Sequence, residues 1–360
     1  MLRTFHAIKI CRTKKLGGHK QKCGSCGKVE ISYNSCRNRH CPKCQAVNRE
    51  RWIKEREAEL LEVPYFHIVF TLPYELNELA ISHPKEVYNA LFRASWQTID
   101  TFAKDPKHLG AKTGMTAVLH TWGQNLSLHP HLHCIVPGGG IDEKGEWKTP
   151  KKSAKKARRK LKYLFPKRAM SQVYRAKFMA ALRQQIPIPQ NIAREIMNKD
   201  WVVYAKRPFA SPKQVIEYLG RYTHKIAISN HRLVNIDKGK VSFNYKDYRA
   251  SGVNKTMTLK ATEFIRRFSM HVLPHGFPRM RHCGMLASKN KAKLLNLARK
   301  DLGQRPWVKK KMTWQEIAQE RLNINPNKCS RCKKNTMRII AVILPMRGPP
   351  QIKLQPNEDF

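Results

Sequence analysis

Runs of apolar residues of strand length, separated by turn residues, organise the middle of this chain. They predict strands over residues 65–71, 115–124 and 129–136, and the short connection between the last two predicts a hairpin. Apolar residues at helical spacing predict helices over residues 46–61 and about 83–104. The pattern therefore predicts helices and hairpin strands within the same segment of the chain.

The last of these strands carries histidines at alternate positions. Successive side chains of a strand point to opposite faces, so His131 and His133 project together and can hold one metal ion. His129 shares this face and is a candidate third ligand, although the proline that follows it disturbs the geometry. His120 and Gln124 on the preceding strand are competing candidates. Because an isolated H-x-H is more often part of an ordinary polar strand, the rest of the chain has to decide.

The net charge restricts the partners of this protein. Its 360 residues include 70 lysines and arginines against 25 acidic residues, a formal charge of +45. A polyanion would offset the repulsion among these positive charges, and nucleic acid is the polyanion that we expect this protein to bind. A membrane fits less well, because no apolar run approaches the roughly 18 residues of a spanning helix and the N-terminus lacks a signal-peptide core. We expect a cytoplasmic, nucleoid-associated protein.

Ten cysteines, six of them within residues 1–45, indicate metal binding. Cys23 and Cys26 form one CxxC pair, and Cys41 and Cys44 form another, a spacing that lets four thiolates surround one structural zinc ion. A segment so short and so poor in aliphatic residues would take its folding energy from the metal. Further candidate ligands, for which a buried thiol or a phosphate contact is the alternative, are Cys11, His19, Cys36 and His40.

Basic residues lie around these cysteines and again in the middle of the chain. We expect Arg37, Arg39 and Lys43 to contact DNA phosphates. Residues 148–168 hold eleven lysines and arginines and no acidic residue, which predicts a solvated linker or an arm that follows phosphates.

A predicted helix that starts with Ser211 carries a second set of chemical groups. The serine can cap it, a proline suits its first position, and a glutamine completes a capping box. Tyr218 and Tyr222 then lie one turn apart on one face, either packed in a core or placed as nucleophiles. A phenol has a pKa of about 10, so it needs a metal-polarised phosphate or a base to attack at neutral pH. Arg221 and Lys225 are candidates for holding that phosphate.

Four long segments together resemble one protein family. They are residues 33–44 (YNSCRNRHCPKC), 65–73 (YFHIVFTLP), 129–140 (HPHLHCIVPGGG) and 218–230 (YLGRYTHKIAISN). In this order they resemble the rolling-circle insertion-sequence transposases of the insertion-sequence-ninety-one type. Shorter segments resemble the same family at residues 245–249 and 263–268, so the likeness covers about residues 20–290.

The resemblance implies an α+β fold with a small zinc-binding domain at the N-terminus. That domain, residues 1–62, would contact DNA and precede an HUH endonuclease domain over residues 63–285, built on an antiparallel sheet flanked by helices. Residues 286–360 would form a basic C-terminal region. Cys329 and Cys332 form a single CxxC pair in this region, interpreted as two exposed thiols in preference to half of a distant site.

The resemblance also implies an activity and a set of partners. It places a catalytic magnesium or manganese ion on His131 and His133 and the nucleophiles on Tyr218 and Tyr222. The expected reaction is cleavage and transfer of single-stranded DNA at the element ends and the target, through 5′-phosphotyrosyl intermediates. Because the sequence has no Walker-type loop, unwinding would come from host replication or a host helicase.

Three other functions fit parts of the sequence. The pattern of residues 129–133 also suits a histidine-triad nucleotide hydrolase, which needs neither a metal nor this charge. A carboxylate-triad transposase cannot be judged without a fold, because scattered acids cannot be grouped. A zinc-dependent DNA-binding protein without activity would bind DNA and never cut it.

Overall fold

The computed structural model describes residues 1–150, 164–205, 209, 214–216, 218, 220, 227–309, 312–346 and 352–354. The chain divides into two compact units. The first contains Met1–Lys54, His224–Leu233 and Lys310–Phe360, and the second contains Glu55–Thr223 and Val234–Lys309.

The strands in chain order are β1 (Gly18–Cys23), β2 (Val29–Tyr33), β3 (Tyr65–Thr71), β4 (Gly114–Trp122), β5 (Leu128–Pro137), β6 (Gly140–Ile141), β7 (Trp147–Lys148), β8 (Val203–Ala205), β9 (Leu233–Asp237), β10 (Lys240–Asp247), β11 (Val253–Lys260), β12 (Met280–Gly284), β13 (Met337–Ile343) and β14 (Ile352–Leu354). The described α-helices are Leu2–Lys9, Ala46–Glu59, Asn77–Ser82, Pro84–Lys104, Lys167–Arg183, Gln190–Met197, Ala261–Ser269, Lys291–Asp301 and Trp314–Leu322. Residues 214–216, 218 and 220 are also helical.

The first unit is built on a four-stranded antiparallel sheet in the order β14-β13-β1-β2. β13 is rich in isoleucine and valine, residues that favour strands, and it pairs with β1 so that Cys23 lies opposite Met337. The C-terminal strand therefore completes the N-terminal domain. The prediction that residues 1–62 and 286–360 form separate domains is wrong here, because both contribute to one unit. The sequence does not show which distant strand pairs with the second edge of β1.

The second unit is built on a five-stranded antiparallel sheet in the order β12-β4-β5-β3-β8. Alternate side chains such as Phe66, Phe70 and Leu132 are buried on one face, together with residues of the helices Pro84–Lys104 and Lys167–Arg183. Each large apolar side chain buried in this way stabilises the fold by roughly 1.5–3 kcal/mol. The side chains that alternate with them point to the opposite face, which carries the histidines.

The helix Pro84–Lys104 shows how the sequence builds this core. Its proline lies in the first turn, where a missing N–H leaves no intrahelical hydrogen bond unmade. Its buried stripe repeats every three or four residues, which keeps one face of the helix apolar. The residues of this stripe are Tyr88, Phe92, Ser95, Ile99 and Phe102.

Several predicted elements are confirmed. β3 coincides with the predicted strand 65–71, the two long predicted helices are present as Ala46–Glu59 and Pro84–Lys104, and β4 and β5 form the predicted hairpin. Of the basic segment, residues 151–163 lie outside the described residues. The prediction of a linker up to residue 168 is wrong at its end, because Leu164 and Phe165 are buried in the core. Within the described ranges, no helix combines the length and the apolar character needed to cross a bilayer.

Candidate metal and nucleophile site

Three histidines come together on the face of the five-stranded sheet opposite the apolar core. His120 lies opposite His131 across the β4–β5 hairpin, and the metal-binding ring atoms of His120, His131 and His133 all lie within 4.8 Å of one another. The predicted pair is therefore joined by His120. The prediction of His129 as third ligand is wrong in this geometry, because the ladder shifts register beyond His120, at a bulge in β5 that contains His129, and leaves His129 exposed.

Hydrogen bonds fix the orientation of the two β5 imidazoles. Nδ1 of His131 donates to the carbonyl oxygen of His129 at 2.6 Å. Nδ1 of His133 lies 2.9 Å from Nε2 of His67, a histidine on the neighbouring strand β3. With Nδ1 engaged in both rings, Nε2 is the nitrogen that remains for a metal ion, which is the usual division of roles in histidine ligands.

Aromatic stacking orients the third imidazole. The ring of Trp122 stacks on His120 with centroids 4.6 Å apart and an interplanar angle of 19°. The guanidinium of Arg279 lies 5.0 Å from the Trp122 ring and donates from Nε to the carbonyl oxygen of Leu119. Because these contacts already restrict the ring of His120, this side chain would lose little conformational entropy on binding a metal ion.

The electrostatics of the site suit metal ligation. Burial lowers the pKa of His131 to about 4, so its ring is neutral at physiological pH and offers a lone pair. Three neutral imidazoles suit manganese better than magnesium, which prefers oxygen ligands.

Tyr218 lies beside this group in the second unit. Its ring makes an edge contact with the His67 ring, with centroids 5.1 Å apart, and contacts the ring of Phe209 at 5.4 Å. The side chain is half-buried. The other predicted nucleophile, Tyr222, and the predicted phosphate contacts Arg221 and Lys225 lie outside the described residues.

The cysteines form two groups in the first unit, which corrects the predicted ligand set. Sequence spacing paired the two N-terminal CxxC motifs with each other, but the structure places them in different groups. Cys41 and Cys44 approach Cys11 and Cys36, whereas Cys23 and Cys26 approach the C-terminal pair. The reason is the sheet: Cys23 ends β1, and β13, the neighbour of β1, follows the C-terminal pair in the chain. The two groups are Cys11, Cys36, Cys41 and Cys44, and Cys23, Cys26, Cys329 and Cys332.

The predicted DNA contacts of the first unit differ in exposure. Arg37 and Lys43 are exposed, so they are accessible to a phosphate backbone. Arg39 is only half-buried, and burial lowers the pKa of its guanidinium. Sequence patterns did not single out His67, Trp122 or Arg279, since their importance depends on which strands are neighbours in the sheet.

Comparisons with known proteins identify the family of this chain. A family model described as "Putative transposase" matches residues 114–293, and one described as "Transposase zinc-binding domain" matches residues 1–72. The chain is 42% identical to "Putative transposase y4qJ" of Sinorhizobium fredii, over 97% of this chain and 91% of that protein. The chain belongs to the insertion-sequence transposases of the IS91 type.

A second curated relative and several solved structures resemble this transposase. It is 29% identical to "Transposase for insertion sequence element IS801" of Pseudomonas savastanoi pv. phaseolicola, over 91% of this chain and 81% of that protein. The conjugative relaxase TrwC in complex with DNA matches with a TM-score of 0.29 and 14% identity, over 56% of this chain and 71% of that one. At that TM-score the structural likeness carries no argument about this chain.

Proposed function

We propose that this transposase cuts and rejoins single-stranded DNA at the ends of its insertion sequence by HUH chemistry. The observation that carries the proposal is the three-histidine group of His120, His131 and His133 with Tyr218 next to it, linked through the ring of His67. Cleavage of DNA through a phosphotyrosine needs a metal site and a phenol close to it.

The histidines and tyrosines have separate roles in the proposed step. A magnesium or manganese ion held by the three imidazoles would withdraw charge from the oxygens of the scissile phosphate. The phenolic oxygen of Tyr218 would attack phosphorus and lose its proton to solvent, while the bond to the 3′ oxygen breaks and that oxygen takes up a proton from solvent. The products are a 5′-phosphotyrosyl ester and a free 3′-hydroxyl. Because the ester retains the phosphodiester energy, a 3′-hydroxyl can later attack it and complete strand transfer without ATP.

Two tyrosines allow successive cleavages in this scheme. Tyr222, one helical turn from Tyr218 in the sequence, would attack the second strand end while the first tyrosine is still esterified. Arg221 and Lys225 would hold phosphates of the same strand. Host replication or a helicase would supply single-stranded DNA, and the protein would act on the nucleoid in the cytoplasm.

The zinc-binding domain would present basic residues to DNA. We assign one structural zinc ion to Cys11, Cys36, Cys41 and Cys44, since the Cys36 and Cys44 sulfurs lie 3.8 Å apart, about the edge length of a tetrahedron with Zn–S bonds of about 2.3 Å. Arg37 and Lys43 lie between or next to these ligands in the sequence and would contact phosphates.

Cleavage assays with matched histidine variants test the proposal. Oligonucleotides from the termini of the insertion sequence are incubated with full-length protein and manganese, magnesium or neither. We expect metal-dependent cleavage that leaves a 3′-hydroxyl, lost in the His131→Ala and His133→Ala variants, whose DNA binding stays nearly unchanged. Cleavage without added metal that is lost in both variants would favour the histidine-triad alternative, and cleavage by the variants themselves would contradict both assignments of these histidines. Tight binding without cleavage under any condition would favour an inactive DNA-binding protein.

A further inference from the structure

The two CxxC motifs of the second cysteine group have the same backbone conformation. In the first, the N–H of Gly27 donates to the carbonyl of Cys23, and the N–H of Cys23 donates to the carbonyl of Lys28. In the second, the N–H of Lys333 donates to the carbonyl of Cys329, and the N–H of Cys329 donates to that of Lys334. Two separate segments thus make the same turn, each with its two thiols directed toward the other segment.

The residue after each motif adopts a left-handed backbone conformation. Gly27 has a φ of +70° and Lys333 a φ of +63°. Glycine adopts this conformation without strain, whereas the Cβ of a lysine makes it unfavourable. A lysine in this conformation shows that the second turn is held by its surroundings rather than by local preference.

The sulfur positions fit a tetrahedral metal ion. Cys23 lies 3.6 Å from Cys332, and Cys26 lies 3.6 Å from Cys329, measured between sulfurs. Tetrahedral zinc with Zn–S bonds of about 2.3 Å requires sulfurs about 3.8 Å apart. A disulfide would need a separation of about 2.05 Å, so the four thiols match a metal ion and not a covalent bridge.

We infer that Cys23, Cys26, Cys329 and Cys332 hold a second zinc ion, which joins the two ends of the chain. The zinc-binding family model covers residues 1–72 and so contains only half of these ligands. Cys26 and Cys329 are 303 positions apart, so the ion closes a very long loop and holds β13 in place against β1. The N-terminal zinc-binding domain therefore depends on a C-terminal segment for its second metal site.

Zinc content of the full-length protein tests the second site. We expect two zinc ions per chain in the native protein and one in the Cys329→Ser/Cys332→Ser variant. The Cys36→Ser/Cys44→Ser variant should also retain one, and the Cys283→Ser control, a half-buried thiol of the nuclease sheet, should retain two. One zinc ion in the native protein, or two in the Cys329→Ser/Cys332→Ser variant, would overturn the assignment.

Thiol labelling keeps the test decisive if a variant misfolds. Cys26 and Cys332 are half-buried, so a small alkylating reagent can reach them when no metal holds the sulfurs. In native protein we expect both to be protected until a chelator removes zinc, as read by mass spectrometry of peptides. Equal labelling with and without the chelator would contradict a metal at this site.

A second inference concerns His67 and rests on the proposed function. Its Nε2 lies 2.9 Å from Nδ1 of His133, and the two hydrogen-bonded rings lie side by side with nearly parallel planes, at an interplanar angle of 9° and with centroids 5.2 Å apart. The other side of His67 contacts the ring of Tyr218. We infer that His67 is a positioning residue: it accepts the Nδ1–H of His133, so that Nε2 of His133 faces the metal, and it sets the place of Tyr218.

Two substitutions of similar size separate hydrogen bonding from packing at His67. Glutamine places an acceptor oxygen about where Nε2 lies, whereas leucine fills the space without one. We expect His67→Leu to weaken manganese binding by about 10- to 100-fold and His67→Gln to bind nearly as native protein does. Equal manganese affinity in native and His67→Leu protein, or equal losses in both variants, would overturn this role.

The manganese titration needs no DNA, so it is independent of the proposed cleavage. Weakened manganese binding in His67→Leu together with no cleavage by native protein would support the positioning role and contradict the proposed function. Native cleavage together with unchanged manganese affinity in His67→Leu would do the reverse.

Discussion

At the scale of single residues, a β-bulge decides which histidine joins the metal site. Beyond the His120–His131 pair the β4–β5 ladder shifts register, and the bulge contains His129 and Pro130, whose missing N–H is tolerated there. His129 is left exposed, and only its backbone carbonyl serves the site by accepting from His131.

The first prediction compares two histidine truncations. His120→Ala removes a ring from the group of three, so we expect at least a tenfold loss of manganese affinity, since second-sphere changes alone cost about that much. His129→Ala leaves the carbonyl acceptor in place, so we expect nearly native affinity. Titration calorimetry measures the manganese affinity of both variants. A larger loss in His129→Ala than in His120→Ala would make His129 the third ligand.

A second residue-scale prediction concerns pH and His271. Its Nε2 donates to the carbonyl of Leu126, Nδ1 accepts from the hydroxyl of Thr121, and burial lowers its pKa to about 4. In the unfolded chain the imidazole of His271 takes up a proton near pH 6.5, whereas in the folded protein it does so only near pH 4. The contribution of His271 to the free energy of unfolding is therefore fully present above pH 6.5. It decreases by roughly 3 kcal/mol as the pH falls toward 4.

Urea unfolding of native protein and His271→Gln between pH 7 and pH 4 measures this contribution. The glutamine can keep both hydrogen bonds but does not titrate, so its free energy of unfolding should fall less steeply with decreasing pH. Parallel pH profiles for the two proteins would rule out the buried neutral state of His271.

Site residues that lie on the same strand could be predicted from sequence periodicity. His131 and His133 could be paired from sequence because both lie on one strand, where alternation fixes the face. Their partners His120 and His67 lie on other strands, and only the register of the sheet brings them together. The two cysteine groups were beyond prediction for the same reason, since all three CxxC motifs have equal spacing.

At the scale of elements, β12 ends where the chain has almost no room. Gly284 has a φ of +61°, and a Cβ there would meet the carbonyl oxygen of Thr113 at 2.2 Å and the ring of Trp96 at 2.5 Å. The close approach lets β12 pair with β4 at the edge of the five-stranded sheet. Gly284 therefore matters for how the sheet is completed.

The third prediction uses a matched pair of glycines. Gly276→Ala, at φ +72° with no atom within 4 Å of the new Cβ, should cost only the left-handed strain of about 1–2 kcal/mol. Gly284→Ala adds a backbone clash and should cost clearly more. Urea unfolding of both variants measures the difference, and equal losses would show that the edge of the sheet relaxes freely.

Elements with strong local patterns were predictable, and those defined by distant pairing were not. The helix Pro84–Lys104 and the strand β3 follow from periodicity alone. β1 and β2 were missed because the cysteine-rich segment is polar, and the pairing of β13 with β1 was missed because the two strands are far apart in the sequence.

At the scale of the whole molecule, the charge of +45 predicts an affinity for DNA that depends strongly on salt. Each neutralised phosphate releases about 0.7 of a counterion on single strands and 0.9 on duplex DNA. We predict that affinity falls by on the order of 10³-fold or more between 50 and 200 mM salt. Arg37→Ala/Lys43→Ala should lower the salt slope on single strands by about 1.4. Fluorescence anisotropy measures both, and a nearly flat dependence would mean that the charge serves another partner.

The central claim is that this transposase cuts DNA through a tyrosine of the helix that contains Tyr218. The most direct test incubates native protein and the Tyr218→Phe/Tyr222→Phe variant with manganese and single-stranded element ends, then examines denatured samples for a covalent protein–DNA band. Phenylalanine keeps the ring contacts with His67 and removes the nucleophilic oxygen, so folding should survive. We predict an adduct on Tyr218 or Tyr222 in native protein and none in the double variant. An adduct that persists in the double variant would place the nucleophile elsewhere, with Tyr245 and Tyr248 next to be tested, and would contradict the account.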